Sequence, residues 1–148
     1  MRKLRREDWQ WIQQWFQDDV LNDELGPLDE EWLDHVLNEV EGVQLVAESR
    51  GRPVGLIGCI WGNGKDLPHA ITDIAVAPDL RGTGLGQRIV AGVLNWEGHP
   101  SARSWVAYVM PDNDRACRFF THIGWQYCGI EDEMHCYQLA ISSLPVRS

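Results

Sequence analysis

Arg81 is followed by three glycines in five residues, at 82, 84 and 86, with Thr83, Leu85 and Gln87 among them. Glycine has no Cβ, so its backbone can take positive φ and come close to a ligand. Apolar residues at 85, 89, 93 and 96 mark one face of a helix that begins in this loop. The first N–H groups of a helix are unpaired and carry a partial positive charge. A glycine loop at that point is a cradle for an anion, phosphate above all, and Arg81 adds a charged donor. The plain alternative is a tight turn that binds nothing. The loop is not a P-loop, because no Gly-Lys-Ser/Thr follows. Its spacing is G-x-G-x-G, not the dinucleotide G-x-G-x-x-G, and Glu97 falls too early to hold a ribose.

The elements that must position this loop can be read from apolar spacing. Residues 2–6 predict a short strand. Asp8 predicts an N-cap for a helix whose apolar face is Trp9, Ile12, Trp15 and Phe16. Residues 20–27 read as a polar loop. Asp29 predicts the cap of a second helix, with Trp32, Leu33, Val36, Leu37 and Val40 inward and Gly42 as its stop. Strands are expected at 43–49 and 54–61, joined by a turn at 50–53 and closed by 62–64. A third strand, 69–76, delivers the chain to the glycine loop. A strand at 104–110, a helix at 113–123 and two strands at 125–130 and 134–141 complete the order. That order predicts a mixed α/β fold with a largely antiparallel, curved sheet.

Composition narrows the function. The 148 residues, 44% of them apolar, suit one domain spanning residues 1–148. A net charge of −9 is a poor match for nucleic acid, which needs a basic surface. It suits a cationic partner such as an amine, or simply keeps the protein in solution. No apolar run approaches the roughly 20 residues of a membrane span. The basic start at 1–6 meets Glu7 and Asp8 at once, so no export signal is expected and the location is read as cytoplasmic. Four cysteines, at 59, 117, 128 and 136, include no C-x-x-C pair, and five histidines form no metal constellation, so no metal is expected.

The stretch Ile74-Ala75-Val76-Ala77-Pro78-Asp79-Leu80-Arg81-Gly82-Thr83-Gly84-Leu85-Gly86 resembles the central motif of the GNAT superfamily of acyl-CoA N-acyltransferases. Downstream, Asn113-Asp114-Arg115-Ala116-Cys117-Arg118-Phe119-Phe120-Thr121-His122-Ile123-Gly124-Trp125 resembles that family's second motif, Asn-x-x-Ala-x-x-x-Tyr-x-x-x-Gly-Phe. The resemblance covers essentially the whole chain. It implies a GNAT-type sheet of about six or seven strands, about four flanking helices and splayed central strands. It implies acetyl-CoA (coenzyme A) as cosubstrate and direct transfer of the acetyl group to a primary amine, small-molecule or peptidyl. The backbone of Ile74, Ala75 and Val76 would pair with the pantetheine arm, and amides from Arg81 to Gln87 would hold the pyrophosphate. Asn113 would lie near the pantetheine or thioester. Homodimers are frequent in the family and are left open here.

One departure concerns the proton chemistry. The family often has a tyrosine general acid where this chain has Phe120, or Phe119 if the register slips by one, and phenylalanine has no proton to give. Tyr108, Tyr127 or Cys117 could substitute, a solvent proton could suffice, or the protein could be a non-catalytic acyl-CoA-binding sensor. Asp73, an acid in an otherwise apolar strand, is a candidate base or a structural partner. Tyr108 lies where some relatives carry a catalytic carboxylate, or is plain packing. Trp9, Trp11, Trp15 and Trp32, among eight tryptophans, could line a cage for a cationic amine or pack the core. The acids Asp18, Asp19, Asp23 and Glu24 could hold an ammonium or form a solvated loop.

Overall fold

The hairpin at residues 50–51 shows how local chemistry sets the frame. Arg50 and Gly51 both take positive φ, 54° and 77°, the geometry that suits the twist of two antiparallel strands. They join β2 (Gly42–Ser49) to β3 (Arg52–Ile60). A computed structural model of the chain describes residues 1–63 and 66–140. The expected turn glycine Gly64 and strand end Ile141 lie outside the described residues.

The remaining strands are β1 (Arg2–Lys3), β4 (His69–Val76), β5 (Ser104–Val109), β6 (Gln126–Glu131) and β7 (Met134–Ala140). Their order in the seven-stranded sheet is β1-β2-β3-β4-β5-β7-β6. β1–β2, β5–β7 and β6–β7 pair antiparallel, while β4–β5 is parallel. The β4–β5 register runs from His69↔Trp105 to Ile71↔Ala107 and ends there, although both strands continue. The helices are α1 (Trp9–Trp15), α2 (Asp19–Leu25), α3 (Glu30–Leu37), α4 (Leu85–Leu94) and α5 (Asp114–His122).

Two compact units divide these elements, one of Met1–Cys59 with Asp73–Glu97 and one of Ile60–Thr72 with the chain from Gly98 on. The first has a core of Leu4, Ile12, Leu21, Leu33, Val46, Leu56 and Ala75, each under a tenth exposed. On its other side Gly55 lies against α4: a Cβ there would stand 2.2 Å from Ile89 Cδ1. In the second unit, Phe120 of α5 packs on Trp125 and Tyr137. His69, fully buried, packs edge-on to Trp61 and Trp105.

Several sequence expectations need correction. Residues 20–27 are not all loop, because α2 forms there. A seven-residue helix is marginal alone. It holds because Asp18 caps it, accepting from Leu21 N at 3.1 Å, and because Leu21 is 2% exposed, a burial worth about 2 kcal/mol. Asp8 does not cap α1. Its carboxylate turns back to accept from Arg5 N, the Arg2 guanidinium and Trp11 Nε1. α3 ends at Leu37 rather than Gly42, and Val40 is 88% exposed outside it. α4 stops at Leu94, before Trp96. Asp29 does cap α3, accepting from Trp32 N at 2.9 Å.

Candidate active site

The glycine loop forms as its residue types require. After β4, a 3-10 turn (Pro78–Leu80) leads to Arg81 in extended backbone. Gly82 and Gly84 then take φ of 75° and 78°, a region costly for residues with a Cβ. A Cβ at either glycine would meet nothing within 4 Å, so the glycines serve conformation and access rather than packing. Thr83 Oγ1 donates to Leu80 O at 2.6 Å and closes the loop on itself. Gly84 is the N-cap of α4, and no side chain caps that first turn. Gly82, Thr83, Gly84 and Gln87 are exposed, with Leu85 and Gly86 half-buried. An exposed, uncapped helix start with two left-handed glycines presents N–H donors outward. That is the geometry of an anion cradle.

Arg81 is used differently from the free donor its type suggests. Its guanidinium lies fork-to-fork on Asp18, with Nη1 to Oδ1 at 3.3 Å and a closer Nη2–Oδ2 contact. Arg81 Nε is buried without a hydrogen-bond partner among the described residues. The Arg81 hydrogen bond and the Leu21 amide hold the Asp18 carboxyl below the usual range. Of the four acids read as a possible ammonium site, Asp18 is engaged by Arg81. A second pair, Arg52 Nη2 to both oxygens of Asp79 at 2.8 and 2.7 Å, ties the 3-10 turn to β3.

On β4, Ala75 points into the core and is 2% exposed, while Ile74 and Val76 are half-buried. Asp73 shares the face of Ala75, on the side packed by α1–α3, and is itself half-buried. Gln44, 5% exposed on β2, donates from Nε2 to Asp73 Oδ2 at 2.9 Å. Burial and the Asp73 charge push the Cys59 thiol up to about 12, so that cysteine is inert. Sequence reasoning misses Gln44. A lone polar residue in an apolar strand is its only signal.

The other predicted site residues, Tyr108, Asn113 and Phe120, belong to the second unit. Asn113 caps α5, its Oδ1 accepting from Ala116 N at 3.1 Å. Phe120 is 3% exposed. Tyr108 pairs with Cys136 in register, so it points away from the face that Ala107 and Tyr137 share. Burial first, then the charges of Glu131, Cys136 and Asp132, push its hydroxyl up. A phenol so placed keeps its proton at neutral pH, which suits a donor and not a base. Tyr137, which no motif singles out, stacks on Phe120 with centroids 5.8 Å apart and planes 25° apart. Burial first, with Cys117 of α5 beside it, raises its hydroxyl too.

The tryptophans fall to packing. Trp9, Trp11, Trp15 and Trp32 are partly buried against the first unit's core. Trp9 meets Trp32 at 6.1 Å, and Trp11 meets Trp15 at 4.6 Å. Trp11, off the apolar face, owes its place to its bond with Asp8. Among the described residues no group of three His, Cys, Asp or Glu could hold a metal ion, and no helix is long and apolar enough to cross a membrane.

The model of the acetyltransferase (GNAT) family matches residues 3–125, a span that holds β4, the loop, α4 and α5. This chain belongs to the GNAT acetyltransferase family. Solved structures share the fold of this family member at low identity. An acetyltransferase from Thermus thermophilus aligns with a TM-score of 0.78 at 17% identity, covering 95% of each chain. AAC(6')-Ib in complex with paromomycin and acetyl-CoA aligns at 0.79 and 18%, covering 95% of this chain and 92% of that one. A spermidine N-acetyltransferase SpeG chimera from Vibrio cholerae and hSSAT aligns at 0.70 and 16%, covering 95% of both. No curated protein sequence matches the chain.

Proposed function

We propose that this GNAT protein is an acetyl-CoA-dependent N-acetyltransferase acting on a primary amine, small-molecule or peptidyl, within the cytoplasm, as one domain over residues 1–148. The observation that carries the reading is the pair of left-handed glycines, Gly82 and Gly84, at the uncapped start of α4. Coenzyme A fits the residues present. Amides from Arg81 to Gln87 (Gly82, Thr83, Gly84, Leu85 and Gly86 between them) would take the pyrophosphate. The backbone of Ile74, Ala75 and Val76 would pair with the pantetheine. Transfer makes a C–N bond and breaks the C–S bond of the thioester. Asp73, oriented by Gln44, would take the proton the amine loses. The departing thiolate needs a proton that Phe120 cannot give, and Tyr108 and Tyr137 both keep theirs at neutral pH. The net charge of −9 favours a cationic acceptor, and the fold's solved neighbours include aminoglycoside and spermidine acetyltransferases.

The test is calorimetric binding of coenzyme A, beside turnover of acetyl-CoA on polyamines, aminoglycosides and peptides. Native protein is expected to bind and to turn over at least one class. Gly84→Asp, whose new Cβ meets no protein atom but must hold a φ of 78° at a strain of about 1–2 kcal/mol, is expected to fold with reduced stability and to weaken coenzyme A at least ~10-fold by setting a carboxylate against the phosphates. An unchanged dissociation constant would refute the cradle. A second reading, a non-catalytic acyl-CoA sensor, rests on Phe120. It predicts tight binding with no turnover on any amine.

A further inference from the structure

The entry to the loop that would hold the pyrophosphate is pinned by two ion pairs of opposite polarity. Before it, Asp79 takes the Arg52 guanidinium of β3. At its start, Arg81 gives its guanidinium to Asp18. Asp18 does two things at once. It caps α2 through Leu21 N, and it receives Arg81. α2 has only seven residues and one buried side chain, Leu21, so it has few other anchors. Both terminal nitrogens of Arg81 are turned to the Asp18 carboxylate, while its buried Nε makes no hydrogen bond to the described residues.

We propose that Arg81 is a positioning residue whose link to Asp18 makes helix α2 and the cofactor loop a single responsive element, so that an anion bound at the loop amides orders α2. This rests on the proposed function for the anion's identity. Arg81 then contributes to coenzyme A affinity through Asp18 and not by holding phosphate itself. The two roles differ in sign. If phosphate captured the guanidinium, Asp18 would be released and α2 would loosen.

Hydrogen exchange of the full chain with and without coenzyme A separates them, together with calorimetric affinity. Asp18→Asn breaks the ion pair but keeps an accepting cap oxygen, so α2 persists. Arg81→Gln breaks it from the other side, and Arg81→Lys keeps the charge but not the fork. In native protein, coenzyme A is expected to slow exchange both at the start of α4 and along α2. In Asp18→Asn and Arg81→Gln the α4 protection should stay while the α2 protection disappears. Each single variant should weaken coenzyme A about 3- to 10-fold, and the double variant no further. Arg81→Lys should retain part of the α2 protection. The proposal is overturned if α2 is protected equally in the variants, if coenzyme A accelerates its exchange, or if Arg81→Gln loses affinity while Asp18→Asn does not. Native protein that binds coenzyme A without any effect on α2 sinks this inference alone. Failure of native protein to bind coenzyme A sinks the proposed function with it.

Discussion

Gln44 on β2 reaches past β3 to donate a 2.9 Å hydrogen bond to Asp73 on β4. A buried amide aimed at a half-buried carboxylate fixes which way that carboxylate points. If Asp73 is the base, Asp73→Asn should cut kcat/KM about 100-fold or more and remove the acidic limb of its pH profile. Gln44→Leu leaves the carboxylate but frees its direction, and should cost about tenfold in kcat. Steady-state kinetics across the acidic and neutral range on the best amine decide the matter. Native behaviour in Asp73→Asn removes this residue from the mechanism.

The proton for the thiolate is the step that Phe120 leaves open. Tyr137 lies against that phenylalanine, with its hydroxyl beside Cys117 and Thr121. Tyr137→Phe deletes one oxygen and keeps the stacked ring. If Tyr137 is the donor, kcat should fall about 10- to 100-fold with little change in coenzyme A affinity. Tyr108→Phe is the parallel test on the opposite face. The variant that slows turnover names the donor. If neither does, the proton comes from solvent.

Gly55 and Ile89 make a prediction about stability alone. The missing Cβ of Gly55 leaves room for Ile89 Cδ1, 2.2 Å from where that atom would stand. Gly55→Ala should overpack this contact and lower stability by about 1–3 kcal/mol in urea unfolding. Ile89→Val removes the Cδ1 and should recover part of that loss in the double variant. Additive losses would mean that the strain lies elsewhere.

The contrast between α4 and α2 shows what the sequence could and could not convey. Both begin at a capping position, but the apolar face of α4 repeats over ten residues, while α2 has only Leu21 and Leu25 on one face, beside Val20, among polar residues. Its stabilising partner, Arg81, lies 63 residues from the cap Asp18. The loop itself is legible because its glycines answer to local backbone geometry. Gln44, Tyr137 and the Asp18–Arg81 pair are not, because each acquires its role from a residue on another element. The same distinction explains Asp8. A cap is the local reading, yet the Arg2 fork and the Trp11 indole outcompete the first turn of α1.

The geometry around His69 predicts an acid-sensitive stability. Its Nδ1 accepts from Gly62 N–H at 2.7 Å, and its Nε2–H donates to Pro100 O at 2.7 Å. Only the neutral ring satisfies both, because a proton on Nδ1 would face another N–H. Burial first, then the neighbouring His99, hold its pKa below the usual histidine value, against the pull of the Pro100 carbonyl. Trp61 and Trp105 close off the ring at 4.9 and 5.0 Å. The sign follows from linkage. Above about pH 6.5 the ring is neutral in both folded and unfolded chains, and its contribution is fully present. As pH falls below that, the unfolded chain takes up a proton that the folded chain refuses, so stability drops toward the folded-state pKa. Urea midpoints measured at about pH 7.5, 6.5 and 5.5 should therefore decline in native protein. In His69→Gln, less stable at the highest of these, they should decline less steeply. Equal slopes in the two proteins would assign the acid sensitivity to other groups, and a His69 ring that titrates above about pH 6.5 by NMR would contradict the neutral lock directly.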